Sequence, residues 1–174
     1  MLIGWAAKYN SLSHEMGPSN RRFRERIQPG VFERSLDRGG DPIATVDHEE
    51  RLILGRKSSG TLRLKVEERG LYVEVDAPDT TYARDLQESI KRGDIKGMSF
   101  AFKGAKDRWD KEVIEGRSTT VRTLEDLELI DVAFVTRPAY AETEVAIRSL
   151  TEWGETQFDQ AAANERRLKI AEAE

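Results

Sequence analysis

Hydrophobic and polar positions alternate along much of this chain, and the alternation predicts short strands. Residues 2–8 open it with an apolar strand, followed by a polar loop over 10–20. Residues 22–28 alternate through Phe23 and Ile27, and Pro29-Gly30 breaks the pattern. The stretch 31–38 suits a short helix ended by Gly39-Gly40. Residues 43–47 form an apolar strand leading into His48, and 51–56 form another. Leu62, Leu64 and Val66 occupy one face of a strand over 61–68, and 71–75 alternates again. Residues 61–75 therefore read as a hairpin turning at Glu68-Arg69-Gly70.

The period then changes. Ala83, Leu86 and Ile90 form a stripe at helical spacing, after Pro78-Asp79 and before Gly93. Asp79 or Thr80 is placed to cap the first turn, and Lys91 and Arg92 suit the negative end of the helix dipole. Strands resume at Gly97. Met98, Phe100 and Phe102 point to one side, Ser99, Ala101 and Lys103 to the other. Residues 105–118 are polar and are expected to form a hairpin end or a loop. Strands are predicted over 119–124 and 127–136, and a last structured element from 144.

Many short strands and two helices predict a mainly β, α+β protein, a closed or nearly closed β-barrel with helices outside. Strands and helices do not alternate regularly, which argues against a doubly wound parallel sheet. The composition shifts near residue 151. Residues 1–150 are expected to form one domain, and 151–174, rich in Ala, Glu, Gln, Lys and Arg towards the end, a charged helical arm, tail or removable segment.

Charge and cysteine content narrow the chemistry. The formal net charge is −4 with no basic block, so no nucleic-acid partner is expected. The chain has no cysteine, which excludes disulfides, thiolate catalysis and thiolate-ligated zinc. No stretch approaches the roughly 20 apolar residues of a membrane helix, and the first residues lack a signal-peptide pattern. A soluble cytoplasmic protein is expected.

Three residues are candidates for chemistry. Ser99 lies on the small-residue face of its strand, and Gly97 leaves room for a close approach. A serine on the polar face of an ordinary amphipathic strand fits the same pattern. His48 follows an apolar strand, and only His14 competes with it as a base near neutral pH. A surface histidine in a charged loop fits equally. Asp131 interrupts an apolar strand and by parity shares a face with Leu129, Ala133 and Val135. A carboxylate there needs a partner, either a histidine or an arginine, unless the face is open to water. His48, Glu49 and Glu50 diverge on an extended chain, so no metal site and no cofactor is expected, although a metal-dependent hydrolase built on them is a rival reading. Gly97-Met98-Ser99-Phe100-Ala101 lacks the second glycine of a nucleophile elbow.

Four stretches together resemble the tailed-phage prohead (capsid maturation) serine protease family: RERIQPGVFERSL (24–36), VDHEERLILGR (46–56), the run 59–102 ending in GMSFAF, and LIDVAFVTRPAYAETEVAIR (129–148). The resemblance spans roughly residues 1–150. It implies a barrel similar to the herpesvirus assembly proteases. It also implies an endopeptidase acting on phage scaffold or major capsid protein inside the prohead, and on itself. By position it makes Ser99 the nucleophile, His48 the base and Asp131 the third member. His14 is the only other histidine for the third role that herpesvirus relatives give to a second histidine. Loose similarity to an arginine-bearing loop of the herpesvirus proteases makes Thr136 and Arg137 the expected oxyanion or substrate residues. By analogy with the dimerising herpesvirus proteases, a homodimer is expected. The rival is a non-catalytic capsid assembly or scaffold-binding module on the same fold.

Overall fold

A computed structural model describes residues 1–147. The expected helical segment 151–174, and the domain boundary before it, lie outside the described residues. The elements are β1 (Leu2–Lys8), β2 (Arg24–Ile27), α1 (Val31–Asp37), β3 (Ile43–Val46), β4 (Glu49–Arg56), β5 (Leu62–Glu67), β6 (Gly70–Val75), α2 (Thr81–Arg92), β7 (Gly97–Ile114), β8 (Arg117–Val135) and β9 (Glu144–Ile147).

These strands form two sheets and do not form the expected barrel. One sheet has the order β5-β6-β1-β9. The other has the order β2-β8-β3-β4, with β7 along the opposite edge of β8. Closing a barrel would require ladders between the edges of the two sheets, and among the described residues none joins them. The architecture is mainly β with two short helices. Met98, Phe100, Val132 and Phe134 face the shared core with Leu2, Leu71, Val73 and Phe32.

The β5–β6 hairpin forms where the alternation predicts it, with Glu67 opposite Gly70 and Glu68-Arg69 as the link. In α2, Ala83 and Leu86 are buried. Gly93 takes the left-handed conformation (φ 78°) that closes the helix, and its N–H donates to the Ile90 and Ser89 carbonyls. The N-terminal cap differs from expectation. Thr80 occupies the cap position, but its hydroxyl is buried without a hydrogen-bond partner. The Asp79 carboxylate is engaged by Arg84 instead.

Of the two readings of residues 105–118, the structure has the hairpin end and not the loop: β7 runs to Ile114 and β8 from Arg117, joined by Glu115-Gly116, both at positive φ. The two strands predicted over 119–124 and 127–136 are one. The far end of this hairpin extends beyond the core, with Val113 79% exposed. Burial therefore imposes no alternation there. Cross-strand and neighbouring ion pairs hold it, including Arg122–Asp107 at 2.6 Å and Arg26–Glu112 at 2.7 Å. At its base the buried Glu25 accepts from Tyr140 Oη at 2.9 Å and from Arg122 at 3.2 Å.

Candidate active site

His48 owes its position to a tight turn. Val46 is paired with Glu49, leaving only Asp47 and His48 to reverse the chain between β3 and β4. Both are in the left-handed region, at φ 47° and 60°. Two positive φ values give a turn whose twist matches a hairpin, although glycine is the usual occupant. With a Cβ present, this conformation costs about 1–2 kcal/mol per residue. The turn brings the half-exposed imidazole back to the sheet, where Nδ1 lies 2.7 Å from Asp131 Oδ1. That is the length of a charge-assisted hydrogen bond.

Asp131 is 5% exposed and sits in a run of buried residues on β8. Its second oxygen accepts a long contact of 3.4 Å from the buried Thr45 hydroxyl. Strict parity would put Leu129 on the same face. A bulge prevents it: Ala101 pairs with Asp131, but Phe102 pairs with Leu129 and not with Ile130. Leu129 thus joins the core while Asp131 stays on the side of Ala101. Bulges of this kind commonly re-aim a side chain.

Ser99 lies opposite Ala133, two positions along from the Ala101–Asp131 pair. It therefore shares a face with Ala133 and Asp131 and is Asp131's diagonal neighbour. Such neighbours are about 7–8 Å apart, a gap suited to an imidazole between carboxylate and hydroxyl. Thr45 pairs with Ala133 from the other side. Ser99 is half-buried, and its hydroxyl makes no hydrogen bond among the described residues. Gly97 does not open this face to a substrate. A Cβ there would lie 2.6 Å from Pro138 Cγ and 3.0 Å from Thr143 Oγ1, so the glycine admits the 138–143 segment.

The hydrogen bond to Asp131 raises the His48 pKa above its ordinary 6.5. Partial burial opposes the shift, and the charges of Asp131 and Asp47 add to it. With Nδ1 occupied, Nε2 is the nitrogen left to exchange a proton. A buried carboxylate thus orients a basic imidazole on the sheet face that carries Ser99, and no hydrogen bond joins His48 to the Ser99 hydroxyl.

Residues 1–156 match the family described as caudovirus prohead serine protease. The chain belongs to that family. No curated protein sequence and no solved structure matches it.

In this prohead protease family member, Thr136 and Arg137 follow β8 at the site's edge. The Thr136 N–H is already engaged, donating to Asp47 Oδ1 at 3.0 Å. Arg137 is exposed and makes no ion pair among the described residues. His14 lies in the N-terminal segment, where its amide donates to the Ala139 carbonyl at 2.8 Å. Among the described residues no group of three or more His, Cys, Asp or Glu could hold a metal ion, and no helix is long and apolar enough to cross a membrane.

A cavity of about 670 Å3 lies at the long hairpin, lined by Arg21, Arg22, Phe23 and Trp109 among others. None of Ser99, His48 and Asp131 is in its wall. Its size does not make it the reactive centre, because it holds no nucleophile paired with a base. Hydrophobic patterning does not single out Asp47, whose carboxylate ties the turn to the residue after β8. The available signal was a short acidic side chain at a tight reversal, a residue type that tolerates positive φ.

Proposed function

We propose that this chain is a serine endopeptidase in which Ser99 is the nucleophile, His48 the general base and Asp131 the residue that orients it. The observation that carries the reading is the 2.7 Å contact between His48 Nδ1 and Asp131 Oδ1, on the face where Ser99 lies diagonally opposite. His48 Nε2 takes the Ser99 proton as Oγ attacks the peptide carbonyl. The buried Asp131 carboxylate stabilises the imidazolium that forms. The imidazolium then protonates the leaving amine, and water hydrolyses the acyl-enzyme by the reverse proton route. The oxyanion requires preorganised donors. Of Thr136 and Arg137, Thr136 has its N–H engaged by Asp47, whereas the Arg137 guanidinium makes no ion pair among the described residues.

The substrates, on this reading, are the phage scaffold and the scaffolding segment of the major capsid protein. Cleavage takes place within the assembling prohead in the host cytoplasm. The segment 151–174 is a tether or a self-cleaved piece, and a homodimer is the working form. A fluorophosphonate probe tests the chemistry without knowledge of the substrate. One adduct, located on Ser99 by peptide mass and absent from His48→Ala, is the expected result. A folded parent that takes no adduct, or takes it elsewhere, overturns the assignment.

A further inference from the structure

Asp47 is the residue next to the base, and its environment is unusual for a surface turn. Its backbone N–H donates to the Phe134 carbonyl at 3.0 Å, continuing the β3–β8 ladder one step past Val46. Its carboxylate then accepts the Thr136 N–H at 3.0 Å. The side chain thus provides a rung that the β3 backbone, turning away, no longer supplies. The first contact falls on β8, the strand that carries Asp131, and the second on the residue that directly follows it. His48 follows immediately, held at φ 60° with no glycine in the turn. Backbone in this region persists only where surrounding contacts enforce it. Here the two Asp47 contacts hold it beside the Val46–Glu49 pairing and the His48–Asp131 contact.

We propose that Asp47 is a positioning residue for the catalytic base, clamping the turn to β8 so that the His48 imidazole meets Asp131. The inference rests on the reading of His48 as base, but its geometry is independent of Ser99. Loss of the carboxylate releases the turn at its second anchor, and the imidazole loses its fixed approach to Asp131. Asparagine keeps both an acceptor oxygen for Thr136 and a tolerance of positive φ. Glycine accepts the turn conformation without strain but has no acceptor. The two substitutions therefore separate the clamp from the turn's conformational demand.

The experiment compares the full chain with Asp47→Asn and Asp47→Gly. Imidazole 15N–1H spectra report the tautomer and titration of His48, and with only two histidines in the chain the assignment is direct. The charged groups that act on this titration are Asp131 on β8 and Asp47 itself; Glu49, next to the turn, pairs with Arg51 at 3.3 Å. The parent is expected to hold its proton on Nδ1 and to titrate above the ordinary histidine value. Asp47→Asn retains that tautomer. Asp47→Gly melts as the parent does but shows mixed tautomers and a titration returned towards the ordinary value. The rate of fluorophosphonate labelling is expected to fall about 10- to 100-fold in Asp47→Gly and less than about 3-fold in Asp47→Asn, as for a misplaced catalytic group. An Asp47→Gly protein with the parent's tautomer and titration overturns the proposal. If the parent is not labelled at Ser99, the protease reading fails while the spectra still decide the role of Asp47.

Discussion

Asp131→Asn isolates the carboxylate's charge from its shape. The amide is nearly isosteric, and its oxygen can still accept from His48 Nδ1, so the fold and the ring position are expected to persist. The charge-assisted contact at 2.7 Å is lost. A hydrogen bond to a charged group is worth about 1.5–3 kcal/mol net. If all of that acts on the imidazolium formed in the transition state, the rate falls roughly 10- to 150-fold at about 1.4 kcal/mol per decade. A wrongly held tautomer would deepen the loss. The assay is the rate of Ser99 acylation against pH. The base must be neutral to act, so the parent's acidic limb should lie above the ordinary 6.5, in keeping with the raised His48 pKa. In Asp131→Asn the limb should move down and the plateau should fall. The same linkage has the opposite sign for stability. The protonated contact strengthens the fold fully below pH 6.5, and that contribution fades as pH rises through the raised folded-state value. An unchanged limb and plateau in a folded Asp131→Asn protein would refute the reasoning, since the contact would then exert no influence on the base.

Two further outcomes test the frame around the site. Gly97→Ala should lower stability by about 1–3 kcal/mol, as overpacking does, because its Cβ would meet the Pro138 ring at 2.6 Å. Thermal melting reads the loss, and an unchanged midpoint would mean that the 138–143 segment does not pack as described. Tyr140→Phe removes the donor to Glu25 Oε1 and should cost about 1–3 kcal/mol. Burial already raises the Glu25 pKa, and Tyr140 and Arg122 counter it. A raised acid favours the fold below its unfolded value and loses that contribution as pH rises through the folded one. The Tyr140→Phe deficit in urea unfolding should therefore be larger at pH 8 than at pH 5.

Much of the fold was legible because burial imprints a period. The β5–β6 hairpin, α2 up to Gly93, and the division of Met98, Phe100 and Phe102 from Ser99 and Ala101 follow from that imprint. A hairpin end was one of two readings of residues 105–118, but the unbroken length of its strands was not legible, because Trp109 and Val113 project where no core enforces alternation and cross-strand ion pairs carry the register. Barrel closure was not legible either. It depends on which edges pair, and alternation within a strand does not encode that. Ser99, His48 and Asp131 stood out in the sequence as residue types only. The bulge at Ile130 that separates Asp131 from Leu129, and the clamp made by Asp47, depend on register and left no mark on periodicity.

The central claim is most directly tested by co-expressing the chain with its cognate capsid or scaffold protein and following intact masses. The account predicts cleavage by the parent, and uncleaved partner with Ser99→Ala and with His48→Ala while both variants remain folded. Cleavage by Ser99→Ala at the parent's rate would contradict it.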